Sequence, residues 1–328
     1  MKFIEFDNFL RSSYSFALEE FIMKNTDFDD EYFLFWRTRP TLMIGRFQNT
    51  IQEINSQFVK ENNIDVIRRN SGGGTIYTDE NCWQFSFITW KEKGQVKDFR
   101  DFTKPVIDAL RKLGIKAEFS GRNDLMIEGK KFSGNAQFGI KDRFLHHGTI
   151  LFNTDLDNLV KSLNVGDEKV ISKGIRSVKE RVTNIKPYLN NSGISNQEFK
   201  NEIISLLKTD MEQIFVTPQQ FEAIDDIEKG KFLTWEWNYG NSPEFNITKS
   251  KRFDGGKVEI LLNVKNGIIQ SCTIYGDFFF NDDISTLQDS VIGCKYEKND
   301  ISRSLSKIYE SNPLYLISIT ELLSCFIE

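Results

Sequence analysis

Three segments of the sequence combine residue types that could bind an anion or stabilise a developing charge. The first is Arg68-Arg69-Asn70-Ser71-Gly72-Gly73-Gly74-Thr75, which follows a predicted strand. Consecutive glycines cost backbone entropy, and they make sense where a ligand must approach the main chain. Bare N–H groups in such a turn bind phosphate oxygens, and neighbouring arginines pair with carboxylates or phosphates. No Lys-Ser/Thr pair follows, so the segment is not a phosphate loop of the GxxxxGK[ST] kind. An anion site and an ordinary flexible turn both remain open.

The second segment, GRNDLMIEGKKFSGNAQ at 121–137, predicts a hairpin with polar groups at both ends. Asp124 suits Mg²⁺, a hard cation that prefers carboxylate and water oxygens. Lys131 suits the stabilisation of charge on an acyl or phosphoryl oxygen. A solvated hairpin with a surface lysine pair is the alternative.

The third segment is His146-His147-Gly148-Thr149, and it enters an apolar strand. Its two histidines are the only ones in the chain. They could be catalytic bases or structural hydrogen-bonding groups. With no CxxC pair and no Cys/His cluster of zinc spacing, a His-based metal site is not expected.

The composition restricts the class of protein. The chain has 328 residues and a formal net charge of -5, with no Lys/Arg block, which argues against a nucleic-acid partner. The four cysteines fit reduced thiols in the cytoplasm. We see no signal peptide and no run of the ~18 apolar residues that a membrane helix requires, so no membrane association is expected.

The elements around these segments predict an α+β fold, because strands occur in hairpins with helices between them. The predicted helices of this part cover 12–24, 52–62, 102–113 and 156–163. The predicted strands cover 32–36, 41–45, 65–69, 75–77, 83–90, 117–119, 124–127, 131–138 and 148–152. We expect a mixed or antiparallel sheet with flanking helices.

The pattern changes after a polar, mostly helical stretch at about 170–245. Two alternating runs, 258–264 and 268–275, meet at Lys265-Asn266-Gly267, which is a strong hairpin signal. Predicted helices follow at 284–291, 301–309 and 319–326. The chain is therefore expected to divide into a large domain, 1–245, and a small α+β accessory domain, 246–328.

Four ordered motifs resemble those of the lipoate–protein ligases: RRNSGGG at 68–74, GRNDL at 121–125, GKKFSGNAQ at 129–137 and HHGT at 146–149. The resemblance continues in KGIRSVKERVTNI at 173–185. It also includes WEWNYG at 235–240, Ser242-Pro243 and YGDFF at 275–279, which are similar to the bacterial two-domain form. It therefore covers nearly the whole chain.

The resemblance implies a catalytic domain like those of biotin ligases and class II aminoacyl-tRNA synthetases. Arg69 matches an arginine beside the nucleotide and acyl group, and Lys131 matches the lysine that contacts the lipoyl carbonyl and the α-phosphate. Residues 74–77 match main chain along the nucleotide, and Asn123 and Asp124 match polar residues near nucleotide and metal. The implied lipoyl-AMP site comprises Arg69, Ser71, Gly73, Gly74, Thr75, Ile76, Tyr77, Asn123, Asp124, Lys131, Ser133 and His147.

The implied reaction uses ATP and Mg²⁺ to convert lipoate into lipoyl-AMP, with Asp124 as a metal ligand. A lysine of an apo lipoyl carrier then attacks the anhydride. The carrier would be a 2-oxoacid dehydrogenase E2 subunit or the glycine-cleavage H protein. Lys131 is expected to stabilise both steps without forming a covalent bond, and the family favours a monomer.

The chain departs from the family pattern GGGAVYHDxGNxNFSF at four positions: Thr78, Asn81, Cys82 and Gln84 replace His, Gly, Asn and Asn. This leaves open the preferred acyl group and carrier, and whether octanoate is accepted. Trp83 is bulky enough to reshape a pocket. Two alternatives follow: an ATP-independent octanoyl or lipoyl transferase with Cys82 as its nucleophile, and a lipoate-binding relative without turnover.

Overall fold

The computed structural model describes residues 1–6, 10–25, 27–91, 98–163, 180–208, 211–239 and 246–327. Part of the family-like segment at 173–185, namely 173–179, lies outside these residues. So do Gly240, Ser242, Pro243 and the predicted domain boundary, which stays a prediction.

Eight strands form the main sheet in the order β11-β1-β2-β6-β10-β9-β8-β7. The strands β11-β1-β2 run parallel, and the other neighbours are antiparallel. Their bounds are β1 Lys2–Glu5, β2 Tyr32–Arg37, β6 Cys82–Trp90, β7 Glu118–Ser120, β8 Asp124–Ile127, β9 Lys130–Ile140, β10 Arg143–Leu151 and β11 Glu212–Phe215.

Alternation along β6 gives the sheet two buried faces. Trp83, Phe85 and Phe87 belong to one hydrophobic cluster, which includes residues of the helix over 99–112. Gln84 and Ser86 project to the other face, since successive side chains of a strand point to opposite sides. The helix over 12–24 covers that face, and its Glu19 accepts a hydrogen bond from Ser86 at 2.6 Å.

A second, three-stranded sheet has the order β4-β3-β5, with β3 Thr41–Ile44, β4 Asp65–Arg68 and β5 Ile76–Thr78. The glycine segment joins β4 to β5, so its position is fixed at both ends. A third, antiparallel sheet, β12-β13-β14, consists of β12 Ile247–Phe253, β13 Gly256–Lys265 and β14 Ile268–Gly276.

The α-helices are α1 Ser12–Lys24, α2 Thr50–Glu53, α3 Ser56–Glu61, α4 Phe99–Lys112, α5 Leu156–Lys161, α6 Asn196–Leu207, α7 Pro218–Ile227, α8 Trp235–Asn238, α9 Ser285–Ser290, α10 Lys298–Tyr309 and α11 Ile319–Ile327. A 3₁₀ turn, Lys186–Tyr188, and a π-helical turn, Glu228–Phe232, complete the described elements. The last three helices pack with the third sheet around a separate hydrophobic cluster. We call residues 246–327 the C-terminal unit. The α+β prediction is confirmed.

One predicted element, the helix over 52–62, is wrong. A continuous helix over 52–62 is replaced by α2 and α3, because Asn55 lies between them and its side chain accepts from the Phe58 N–H at 3.2 Å, which caps α3. The stretch 170–245 also contributes a strand, β11, which pairs with β1 at the edge of the main sheet. No helix in the described ranges is long and apolar enough to cross a membrane.

Candidate active site

A cavity of about 290 Å³ lies where the main sheet, the β4–β5 segment and the C-terminal unit meet. One part of its wall is apolar and comprises Phe16, Trp36, Met43, Ile76, Ala136 and Phe279. The rest is polar or backbone and includes Arg69, Gly73, Gly74, Thr75, Gln84, Arg122, Asn123, Asp124, Lys131, His147, Thr149 and Asp277. Such a cavity suits a ligand with an apolar tail and an anionic head.

The glycine segment is packed on both sides by backbone. A Cβ at Gly72 would lie 2.2 Å from the Phe278 carbonyl oxygen. The Gly73 N–H donates to that oxygen at 3.1 Å, and its φ of +92° is one that side-chain-bearing residues rarely adopt. The glycines therefore serve close contact with the C-terminal unit, besides exposing Gly73 and Gly74 to the cavity.

Arg69 is held entirely by protein groups. Its guanidinium donates to the carbonyls of Met43, Gly72 and Gly74, each at 2.8 Å, and its Nε donates to the Ser71 hydroxyl at 3.1 Å. Burial lowers the pKa of Arg69 to about 9. Because its bonds join β3 to both ends of the glycine segment, Arg69 fixes the shape of this wall.

A buried chain of hydrogen bonds continues from Ser71. Its hydroxyl lies 2.6 Å from Nε2 of His147, whose Nδ1 lies 3.2 Å from a Glu19 carboxylate oxygen. A carboxylate oxygen accepts, so the hydrogen bond between Nδ1 and Glu19 is donated by the ring. His147 is thus oriented by Glu19, a residue that the sequence did not single out. Nothing in the sequence indicated that this glutamate of α1 would contact His147, which is 128 residues away in the chain.

Lys131 is placed differently from Arg69. Its side chain is 38% exposed and its ammonium lies 2.7 Å from the Asp124 carboxylate, so the two predicted polar residues are brought together. The ammonium also lies over Gly134, 3.2 Å from where a Cβ would be. The Thr183 N–H donates to the Lys131 carbonyl at 2.8 Å, which anchors the backbone and leaves the side chain free to exchange partners.

The C-terminal unit contributes residues that the sequence did not assign to the site. Asp277 and Phe279 line the cavity, and the Arg122 guanidinium lies 4.8 Å from the centre of the Phe279 ring. Arg122 also donates to the Gly255 carbonyl. The YGDFF motif held Asp277 and Phe279, but nothing in the sequence indicated which distant segment they would contact.

Nine of the predicted site residues line the cavity: Arg69, Gly73, Gly74, Thr75, Ile76, Asn123, Asp124, Lys131 and His147. Three lie behind it. Ser71 contacts His147, Ser133 accepts from the Asn135 amide at 3.3 Å, and the Tyr77 ring packs in the cluster with Leu42 and Ile44. The structure thus brings the three sequence segments together; the roles of these residues remain predictions.

The atypical segment 78–84 reaches the cavity through Gln84, whereas Thr78, Asn81 and Cys82 do not line it. Trp83, which is bulky enough to reshape a pocket, instead stacks on Phe35 at 4.9 Å on the opposite face of the sheet. Cys82 is fully buried, and burial raises the pKa of its thiol well above the ordinary value. A nucleophilic cysteine needs the thiolate, so this geometry speaks against Cys82 in that role.

Within the described ranges, no group of three or more His, Cys, Asp or Glu side chains is placed to hold a metal ion. Mg²⁺ often takes only one or two carboxylates together with substrate phosphates. The Asp124 carboxylate lies in the polar part of the cavity and is suited to be one such ligand.

Two family models match the chain. The model of the lipoyl protein ligase A/B catalytic domain matches residues 11–208, and that of the bacterial lipoate protein ligase C-terminus matches residues 242–326. The lipoate–protein ligase 1 of Staphylococcus aureus is 39% identical, and a lipoate–protein ligase of Bacillus subtilis is 40% identical. Each alignment covers 94% of both chains.

The solved structures that resemble this chain point to the same family as the sequence matches. A P. falciparum protein solved in complex with lipoate has a TM-score of 0.78 at 25% identity, over 100% of this chain and 99% of its own. A lipoate–protein ligase A bound with ATP gives 0.61 at 27%, over 70% and 94%. A bipartite ligase from Thermoplasma acidophilum, described with its E2 lipoyl domain, gives 0.66 at 28%, over 75% and 98%. Fold and site therefore define an enzyme of the ligase class. The chain belongs to the lipoate–protein ligase family.

Proposed function

We propose that this protein activates lipoate with ATP to form lipoyl-AMP and transfers the lipoyl group to a lysine of an apo lipoyl domain. The observation that carries the proposal is the position of Lys131. Its half-exposed ammonium lies in a cavity that joins an apolar wall to a polar one. The apolar wall suits the acyl tail, and the polar wall suits a carboxylate and a triphosphate.

In the first step a lipoate carboxylate oxygen attacks the α-phosphorus of ATP, and pyrophosphate leaves. Negative charge builds on the phosphoryl oxygens, and a cation already in place stabilises it without reorganisation. Lys131 supplies that cation by turning from Asp124 to the substrate. Asp124 would hold Mg²⁺, which neutralises phosphate charge when bound.

In the second step the amine of the target lysine attacks the anhydride carbonyl, and AMP leaves. Lys131 stabilises the oxygen of the tetrahedral intermediate. No covalent acyl-enzyme is needed, which agrees with Cys82 being fully buried and not lining the cavity.

The C-terminal unit takes part in the first step. Asp277 and Phe279 complete the cavity wall, and the Phe278 carbonyl is bound to the glycine segment. These contacts order the glycine segment along the wall that would face the triphosphate. The unit thus assists adenylation rather than serving only as a stabilising appendage.

The carrier is an E2 lipoyl domain or a glycine-cleavage H protein, and the enzyme acts as a monomer in the cytoplasm. The T. acidophilum ligase described with an E2 lipoyl domain supports the choice of carrier class. The absence of disulfides among the four cysteines agrees with a reducing compartment.

The test is an ATP-dependent lipoylation assay against a panel of apo carriers, with pyrophosphate and AMP measured in parallel. We expect stoichiometric pyrophosphate, AMP and modified carrier for at least one carrier. Lipoyl transfer that proceeds without ATP would overturn the proposal, and so would the absence of pyrophosphate release from lipoate and MgATP.

A further inference from the structure

Gln84 occupies a central place on the cavity wall. It pairs with Trp36 of β2 on one side and with Thr149 of β10 on the other, and only 3% of it is exposed. Its neighbours on the wall include Phe16 and Met43, so a polar group stands in mainly apolar surroundings.

The orientation of the Gln84 amide follows from its contacts. Its nitrogen donates to the Cys82 carbonyl oxygen at 3.2 Å and lies 3.3 Å from the Cys82 sulfur. A flipped amide would set its oxygen 3.2 Å from the Cys82 carbonyl oxygen, so that two acceptors would face each other. The nitrogen is therefore turned to Cys82, and the oxygen is the remaining atom.

The Gln84 amide oxygen is buried and accepts no hydrogen bond from any group in the described ranges. Buried carbonyl groups are paired in nearly all folded proteins, because an unpaired acceptor loses its hydration without compensation. Gln84 lines the cavity, so an unpaired acceptor buried in this wall is suited to a ligand that donates.

Gln84 also lies at a suitable distance from Lys131. Thr149 lies on β10 and pairs with Gln84 on the neighbouring strand β6. The Thr149 hydroxyl lies 3.2 Å from the Gly134 N–H on β9. The Lys131 ammonium lies over Gly134. Two strand spacings, roughly 10 Å, therefore separate Gln84 from the position below Lys131. An extended eight-carbon acid with its carboxylate at Lys131 spans this distance, so its distal end meets Gln84.

We propose that Gln84 selects the distal end of the acyl group and favours the reduced, ring-opened dithiol form of lipoate over a saturated eight-carbon acid. This rests on the proposed function, since it places the acid's carboxylate at Lys131. The dithiol brings S–H donors to the unpaired oxygen. A methyl end leaves that oxygen unpaired, and the closed disulfide ring of oxidised lipoate carries no donor either. A site built to receive a donor rejects analogues that lack one.

The experiment measures kcat/KM for pyrophosphate release with three acids: octanoate, oxidised lipoate, and lipoate kept as the dithiol by a phosphine. Octanoate is assayed with and without the phosphine. For the wild type we expect the dithiol to exceed octanoate in kcat/KM by about two- to five-fold, the lower part of the range for one net hydrogen bond, because S–H is a weak donor. In Gln84→Met, which keeps the side-chain length, the ratio should fall to about one.

Thr149→Ser is the matched control, because it alters the same wall and keeps its hydroxyl; it should leave the dithiol-to-octanoate ratio unchanged. Should Gln84→Met not fold, Gln84→Asn withdraws the oxygen and should also lower the ratio. Equal use of dithiol and octanoate by the wild type would overturn the inference alone, as would a ratio that persists in the folded Gln84 variant. Failure of all three acids to release pyrophosphate would overturn the proposed function, and the inference with it.

Discussion

The protein holds two of the cations at its cavity, Arg69 and Lys131, in opposite ways. Arg69 is 4% exposed and donates to three backbone carbonyls, whereas Lys131 is 38% exposed at its side chain and has one carboxylate partner 2.7 Å away. Removing Arg69 from its contacts would dismantle the wall, while Lys131 can change partners at little cost. The resemblance places both residues at the site. Their contacts support the proposal that Arg69 shapes the cavity wall and that Lys131 acts on the substrate.

The largest effect is expected for Lys131→Ala. Loss of the charge that meets the reacting oxygens should lower kcat for lipoylation by about 10²–10³-fold, as for other groups that stabilise transition-state charge. The melting temperature should change little, because an exposed ion pair adds little stability. Lys130→Ala is the matched control on the same hairpin and should retain wild-type kcat. A Lys131→Ala enzyme of full activity would remove the distinction between the two cations.

Arg69→Ala should affect stability as well as activity. It leaves the carbonyls of Met43, Gly72 and Gly74 without their donor, and we expect the free energy of unfolding to fall by about 2–4 kcal/mol in denaturant titrations. Arg69→Lys should restore only part of this, since an ammonium lacks the planar fork. If Arg69→Ala lost activity with unchanged stability, Arg69 would act on substrate in the manner of Lys131.

The contact between the glycine segment and the C-terminal unit gives a third comparison. Gly72→Ala would place its Cβ 2.2 Å from the Phe278 carbonyl oxygen, whereas Gly74→Ala would meet nothing closer than 3.8 Å. We expect Gly72→Ala to lower stability by about 1–3 kcal/mol and Gly74→Ala to leave the melting temperature nearly unchanged. Equal melting temperatures for the two variants would argue against this packing.

The smallest effect concerns His146, whose pKa is held well below its ordinary value by burial. Its Nδ1 lies 3.0 Å from the Gln137 amide and its Nε2 lies 3.2 Å from the Asn135 amide oxygen, so the neutral ring is fully bonded. Below about pH 6.5 His146 binds a proton in the unfolded chain but not in the folded protein. The free energy of unfolding therefore falls as the pH falls, by up to about 1.4 kcal/mol per pH unit.

His146→Gln supplies the same donor and acceptor without titrating, and thus serves as the control. The difference in unfolding free energy between wild type and variant should shrink on acidification from pH 7 to pH 5. A constant difference across that range would contradict the neutral, buried state of His146.

The sequence predicted those parts of the site that lie in continuous motifs. Arg69, Lys131 and His147 could be assigned because each lies in a segment similar to a family pattern. Glu19 and Phe279 could not, since their roles depend on contacts between segments far apart in the chain. Strand β11 was missed for a related reason: its residues 212–215 are partly exposed at the sheet edge and lack an apolar run.

The geometry of strand β6 explains why Trp83 does not lie in the cavity wall. Trp83 is bulky enough to reshape a pocket, but the two-residue period of β6 places it opposite Gln84, on the far face of the sheet. Cys82 and Gln84 share the other face of β6, and of these two variant positions only Gln84 lines the cavity.

The most direct test of the central claim is the single-turnover rate of lipoyl-AMP formation without carrier, at saturating lipoate and MgATP, in wild type and Lys131→Ala. We predict that the variant keeps its melting temperature and forms lipoyl-AMP about 10²–10³-fold more slowly. Lipoyl-AMP formed by Lys131→Ala at the wild-type rate would contradict the account.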